Sequence, residues 1–198
     1  MKETQLHELL FELLETELGG VLVYEAALRC VQNDDLRGEW EKYHNETKRH
    51  VEIAEEMIRG FGLDPSTETP GRRVVRHIGK SLVKAMDMAR AEGKPDEAQI
   101  VAAECVTLAE TKDHLNWELL GEVTGHSNGN HKKILQVAFE EVEGQEDEHL
   151  YHSTGWGREL WIDALGLSAV LPPPEERKDV KTAIGAARAK QGREAMTS

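Results

Sequence analysis

The string Glu-Thr-Lys-X-His occurs twice in this chain, as Glu46-Thr-Lys-Arg-His50 and as Glu110-Thr-Lys-Asp-His114, 64 residues apart. A third pairing, Glu146-Asp-Glu-His149, sets a carboxylate and an imidazole three residues apart, and Glu148 stands four residues before His152. On an α-helix, residues three or four apart share a face, so each string presents acid and imidazole to the same side. Carboxylate with imidazole is a donor set for hard to borderline divalent cations: Fe(II), Mn(II) or Zn(II). The two cysteines, Cys30 and Cys105, lie 75 residues apart and form no CxxC spacing, which argues against iron–sulfur ligation and a disulfide framework. There is no GxGxxG, Walker loop or HExxH string, and the single GxSxG match, Gly125-His-Ser-Asn-Gly129, falls in a turn between helical stretches rather than after a strand, so nucleotide binding and triad hydrolysis lack support.

Helices must position these residues. All six prolines fall at Pro65, Pro70, Pro95 and Pro172 to Pro174, leaving long stretches free of helix breakers. Within the first stretch, Gln32-Asn33-Asp34-Asp35 is a turn carrying a cap residue. The pattern predicts helix A over about 4 to 31 and helix B over about 35 to 61, a tight antiparallel hairpin. A shorter helix follows over about 72 to 92, with Val74, Ile78, Leu82 and Ala85 as its apolar face. Helix C spans about 96 to 124. Helix D runs from near Asn130 to about Ser153, where Gly155 and Gly157 weaken it before a last turn with Trp156, Leu160 and Trp161. The expected fold class is all-α: a four-helix bundle of two antiparallel hairpins joined by a long crossover that contains a short extra helix. Residues 1–171 make the bundle, and 172–198 a proline-led tail, flexible or loosely docked.

On helix A, Leu10, Leu13, Glu17, Val21, Tyr24 and Leu28 recur in steps of three or four residues, close to the 3.5-residue spacing of a packed helical seam, which places a glutamate in mid-seam. A buried ionised carboxylate costs several kcal/mol unless a positive charge compensates it. Helix B turns Trp40, Tyr43, Thr47, Val51 and Ala54 inward, with His50 at the stripe's edge and Glu46 flanking it. A hairpin centred near residue 33 sets Glu17 level with Glu46 and His50. Helix C offers two seams: Ile100, Ala103, Thr107, Glu110, His114 and Trp117, or Val101, Glu104, Leu108, Leu115 and Leu119. Periodicity does not separate Glu110 from Glu104 as the inward acid. Helix D turns Ile134, Ala138, Val142, Gln145, His149, His152 and Trp156 inward, with Glu146 and Glu148 close by. A turn centred near residue 127 brings either helix C acid level with that cluster.

Across roughly residues 5 to 165 these features resemble the ferritin-like superfamily of ferritins, rubrerythrins and small bacterial ferritin-like stress proteins. The resemblance implies one Glu from each of two helices and a Glu-x-x-His pair from each of the others, together holding two divalent metal ions, iron or manganese. Glu17, with an aromatic seven residues later, resembles the helix A ligand, and Glu146 with His149 the helix D pair. Glu110 or Glu104 would be the helix C ligand. On helix B, His50 matches the histidine position, but Thr47 stands where the pattern has an acid and Glu46 is displaced by one residue. The expected metal set is Glu17, Glu46, His50, Glu104, Glu110, His114, Glu146, His149 and His152, loaded with iron, or with Mn or Zn. The implied activity is that of a di-iron oxidase or peroxide scavenger acting on dioxygen or peroxide in a stress response. The alternatives are a helical interaction protein without metal, or a hydroxylase needing an apolar channel for an organic substrate.

Composition narrows the partners. The 198 residues carry 37 acidic and 24 basic side chains, a net charge of −13, which repels nucleic acid and anionic lipid. No apolar run approaches the length of a membrane span. The reading is therefore a cytoplasmic protein without nucleic-acid or membrane partners, and a homodimer through an outer apolar stripe such as that of helix C.

Overall fold

A computed structural model of the chain describes residues 2–168. It contains five helices, α1 (Glu3–Leu28), α2 (Asp34–Gly60), α3 (Pro70–Ala91), α4 (Pro95–Gly125) and α5 (Gly129–Ala164), and no strand among the described residues. The starts follow from local chemistry. Asn33 accepts the Leu36 N–H and Thr69 accepts the Arg72 N–H, while Pro70 and Pro95 occupy the first turns, where a missing N–H breaks no helical bond. Gly62 and Gly93 stop α2 and α3 with φ of 74° and 71°, a backbone region that side chains with a Cβ rarely enter.

Long-range contacts set the directions. Gln99, at the start of α4, accepts from the Gln32 and Asn33 amides of the α1–α2 turn, and Trp117 near its other end meets Glu17. Helix α4 therefore runs antiparallel to α1. The pairs Tyr43–His152 and Arg49–Glu141 place α2 antiparallel to α5. Helix α3 lies parallel to α1, from Gly71 beside Glu8 to Asp87 beside Arg29, and packs on α1 and α4. Gly19 and Gly79 let these backbones touch: a Cβ on Gly79 would stand 3.4 Å from the Gly19 Cα.

The core divides into two apolar clusters. One gathers Val23, Tyr24, Trp40, Tyr43, Met86 and Val106; the other gathers Leu10, Leu13, Met57, Trp117, Leu120 and Val142. Cys30 and Cys105 are free thiols buried beside the first.

Two expectations change. Helix α5 does not stop near Ser153 but continues through Gly155 and Gly157 to Ala164. Packing overrides the propensity loss of about 1 kcal/mol per glycine: Trp156 and Leu160 pack on the first cluster, and Gly157 faces Ala103 and Thr107 of α4. On α3, Val74 and Ile78 are 60% and 50% exposed, and the buried residues are Arg72, Val75 and Met86. The face is turned by about one residue because Arg72 and Arg76 reach Glu15 on α1. The tail from Pro172 lies outside the described residues. Among those described, no helix is long and apolar enough to cross a membrane.

Candidate metal centre

The buried seams of four helices run in steps of three or four residues. They read Leu10, Leu13, Glu17, Gly20 and Tyr24 on α1, and Tyr43, Thr47, His50, Ala54 and Met57 on α2. On α4 the seam is Ala103, Val106, Glu110, Asp113, Trp117 and Leu120, and on α5 Ala138, Val142, Glu146, His149 and Ser153. Midway along, between the two apolar clusters, the seams turn polar. Glu17, His50, Glu110, Asp113, Glu146 and His149 are each no more than 3% exposed. Desolvating four carboxyls and two imidazoles is unfavourable by several kcal/mol per charge unless each is matched.

Outer partners aim both rings. His50 Nε2 donates to Gln145 Oε1 at 2.7 Å, and His149 Nε2 donates to Glu46 Oε2 at 3.0 Å. The ring nitrogens that remain, both Nδ1, face the interior, with the rings stacked at a 25° angle and 5.7 Å between centroids. Fixing the outer nitrogen of a histidine in this way is how proteins orient metal ligands.

The interior atoms face one another without hydrogen bonds. His50 Nδ1 lies 2.9 Å from Glu146 Oε1 and 3.7 Å from Glu17 Oε2; His149 Nδ1 lies 3.5 Å from Glu146 Oε1 and 3.6 Å from Glu110 Oε2. None of these contacts has hydrogen-bond geometry. Glu17 Oε2, His50 Nδ1, Glu110 Oε2, Asp113 Oδ1, His149 Nδ1 and both Glu146 oxygens are buried without a hydrogen bond. Two overlapping sets have ligand atoms all within 4.8 Å of one another: His50, Glu146 and His149, and Glu17, Asp113 and Glu146. Ligand bonds of roughly 2.0–2.2 Å put two donors of one ion at most about 4.4 Å apart, so small side-chain movements close either set on a cation.

Electrostatics register the strain. Burial raises the Glu17 and Glu110 carboxyls above the usual range, opposed by His50 and Trp117 for the first and by His149 for the second. Asp113 is pushed much higher, by burial and then by the charges of Glu17, Glu146 and Glu110. Burial would raise Glu146 as well, but the two imidazoles outweigh it and hold its carboxyl down at about 2. Conversely, burial opposes charge on His50, yet Glu17 and Glu146 lift it to about 10, and His149 rises in the same way among Glu110, Glu146 and Glu46. Without a cation, protons neutralise this cluster. Metal ions would replace them, because Nδ1 and carboxylate bind metal only when deprotonated.

Four residues expected at the centre lie elsewhere. Glu104 is exposed and accepts from Trp161 Nε1, so the inward acid of α4 is Glu110. His114 is partly buried against Asp147, with Nε2 2.9 Å from its Oδ1. His152 places Nδ1 2.6 Å from the Tyr43 hydroxyl. Glu46 sits behind His149, with Lys42 3.7 Å from its other oxygen. Asp113 is the residue that sequence reasoning missed. From Glu110 the seam can step three residues to Asp113 or four to His114, and the burial of Asn116, Trp117 and Leu120 shows that it steps three.

An apolar cavity of about 210 Å³ opens between α1, α3 and α4, lined by Thr16, Gly19, Gly20, Val23, Gly79 and Leu82 among others. It shares Thr16 and Gly20 with the turn of α1 that carries Glu17. Comparison of the chain with protein-family models, with curated proteins and with solved structures finds no match in any of the three.

Proposed function

We propose that this protein binds two divalent metal ions, iron first, at the centre of a ferritin-like bundle, and consumes dioxygen or peroxide there as an oxidase or scavenger. One observation carries the reading: the inward-facing atoms of Glu17, His50, Glu110, Asp113, Glu146 and His149, drawn from four helices, are buried, close together and without a hydrogen bond. An ion pair elsewhere in the same molecule shows that the fold can satisfy a buried acid when it holds the matching cation. Four carboxylates with two neutral imidazoles match the charge of two divalent ions. The arrangement of two antiparallel hairpins with α3 as crossover supports the ferritin-like comparison.

Bound iron would supply reducing electrons and open positions for an oxygen ligand. The chain's own residues hold and shield that site. Gln145 and Glu46 fix the imidazoles, Trp117 Nε1 holds Glu17 Oε1 at 2.7 Å, and the two apolar clusters keep bulk water out. The exposed stripe of Leu108, Leu115 and Leu119 on α4 supports a homodimer, which sedimentation tests.

The test is anaerobic loading of metal-free protein with Fe(II), metal analysis, then admission of air. The expected result is two irons per chain and near-ultraviolet ferric absorption that appears with oxygen uptake. A chain that takes up no metal, or that binds it equally in the Glu17→Ala, His149→Ala double variant, is a helical scaffold instead. The cavity beside Glu17 favours one second reading, a hydroxylase acting on a small apolar substrate. Oxygen consumption coupled to such a substrate, and abolished by narrowing the cavity with Leu82→Trp in protein that keeps its metal content, distinguishes it.

A further inference from the structure

We infer that the two ions occupy unlike sites: a nitrogen-rich site at His50 and His149, and an all-oxygen site at Glu17 and Asp113, with Glu146 shared between them. This rests on the metal-binding reading above and goes beyond it, since a symmetric centre would give each ion one imidazole.

The geometry separates the donors in this way. The two Nδ1 atoms and a Glu146 oxygen fall in one set of mutually close atoms, whereas Glu17, Asp113 and Glu146 fall in the other. Both Glu146 oxygens are unpartnered, which leaves one for each ion. Glu110 Oε2, 3.6 Å from His149 Nδ1, adds a carboxylate on the nitrogen side. The asymmetry has a cause in α2. One turn before His50 stands Thr47, 2% exposed, whose hydroxyl donates to the Tyr43 carbonyl at 2.9 Å and is no ligand. Helix α2 thus brings an imidazole without an acid. Helix α4 makes up the deficit with two acids, Glu110 and Asp113, on successive turns of one seam. Asp113 Oδ1 is buried, unpartnered and next to Glu17 and Glu146, the position of a ligand rather than of a salt-bridge member.

Unlike donors select unlike metals. Imidazole favours the later first-row ions, while a site of carboxylates alone favours hard ions and discriminates little among divalent metals. The nitrogen site therefore binds Zn(II) or Fe(II) tightly, and the oxygen site binds Mn(II) or Mg(II) more weakly. The natural centre would be mixed or stepwise filled, and the hard site the one emptied first by dilution.

The experiment titrates the metal-free full chain with Zn(II) alone, with Mn(II) alone, and with a mixture of one equivalent of Zn(II) per chain and excess Mn(II), using equilibrium dialysis with metal analysis. Anomalous diffraction at both absorption edges then locates the ions. From the mixture we expect one Zn and one Mn per chain, with zinc between the imidazoles and manganese between Glu17 and Asp113. Asp113→Asn, which keeps the side-chain shape, should weaken manganese binding at least tenfold and retain one tight zinc. His149→Gln should weaken the zinc site at least a hundredfold. Retained zinc in Asp113→Asn certifies its fold; if that variant does not fold, Glu17→Gln serves in its place, and the diffraction test needs no variant. Two equivalent sites with one metal preference, or one imidazole on each ion, overturn the inference while leaving the metal-binding reading intact. No metal bound at all overturns the metal-binding reading itself.

Discussion

Glu15 and Glu17 stand two residues apart on α1, 4% and 0% exposed, and their surroundings differ completely. Glu15 points toward α3, where Arg76 Nε meets one oxygen at 2.6 Å and Arg72 Nε the other at 2.9 Å. Arg72 Nη1 donates to the carbonyls of Pro65 and Thr67, which pins the guanidinium beside Glu15. Glu17 points toward the bundle axis, where one oxygen accepts from Trp117 and the other meets only acids and an imidazole without a hydrogen bond. Guanidinium groups on a neighbouring helix thus neutralise one buried acid. Among the described residues no Lys or Arg forms an ion pair with the central acids, and five further side chains with buried atoms that lack a hydrogen bond crowd the same space. Side-chain cations complete the structural pair, and the central acid is left as the proposed place for an ion from solution.

Breaking the closed pair should have the largest effect. Glu15→Leu leaves Arg72 buried without its counter-ion, and urea unfolding should show a loss of about 3–5 kcal/mol. Metal content should be unchanged, because Glu15 faces away from the axis. Supplying the missing cation should be nearly as large in the opposite direction. A metal that binds only the folded chain stabilises it by about 4 kcal/mol at a thousandfold excess over Kd. Thermal unfolding with and without Zn(II), and after chelation, measures the shift; a melting temperature indifferent to metal contradicts the reading of the centre.

A smaller effect of inverted sign sharpens the contrast. In metal-free protein, Glu17→Gln removes a carboxyl whose charge burial disfavours more than His50 and Trp117 favour it, while its amide oxygen can still accept from Trp117. Chelator-treated protein should therefore gain about 1–2 kcal/mol, whereas the metal-loaded protein loses its metal-dependent stabilisation. Smallest of all, Gln145→Ala frees the outer nitrogen of His50. Metal affinity should fall about tenfold, with metal-free stability lower by about 1 kcal/mol, as isothermal titration and urea unfolding would show.

Much of the helical plan is legible in the residues alone. The prolines, the Asn33 cap and the glycines at 62 and 93 act on their own backbone, so their meaning does not depend on distant neighbours. The inward placement of Glu17 and His149, and of His50 at the edge of its stripe, is legible for a similar reason, since the spacing of their apolar companions carries them to the axis; on α5 the same spacing points to Gln145, and packing buries Glu146 there instead. Asp113 and His114 are different. Adjacent residues on a helix differ by 100° in direction, and the choice between a step of three and a step of four belongs to the packing of α4 against α1 and α5. The turned face of α3 likewise depends on Glu15 from another helix, and the length of α5 on how Trp156 and Leu160 pack.

Local chemistry and periodicity are written into the chain: where helices begin and end, and that acids and imidazoles interrupt otherwise apolar seams. Which acid faces which partner was decided only when the helices packed, because a carboxylate's surroundings come from residues remote in sequence. Glu15 and Glu17 look equivalent as letters in one helix; the arginines of α3 on one side and the crowded axis on the other separate a structural salt bridge from a candidate metal ligand.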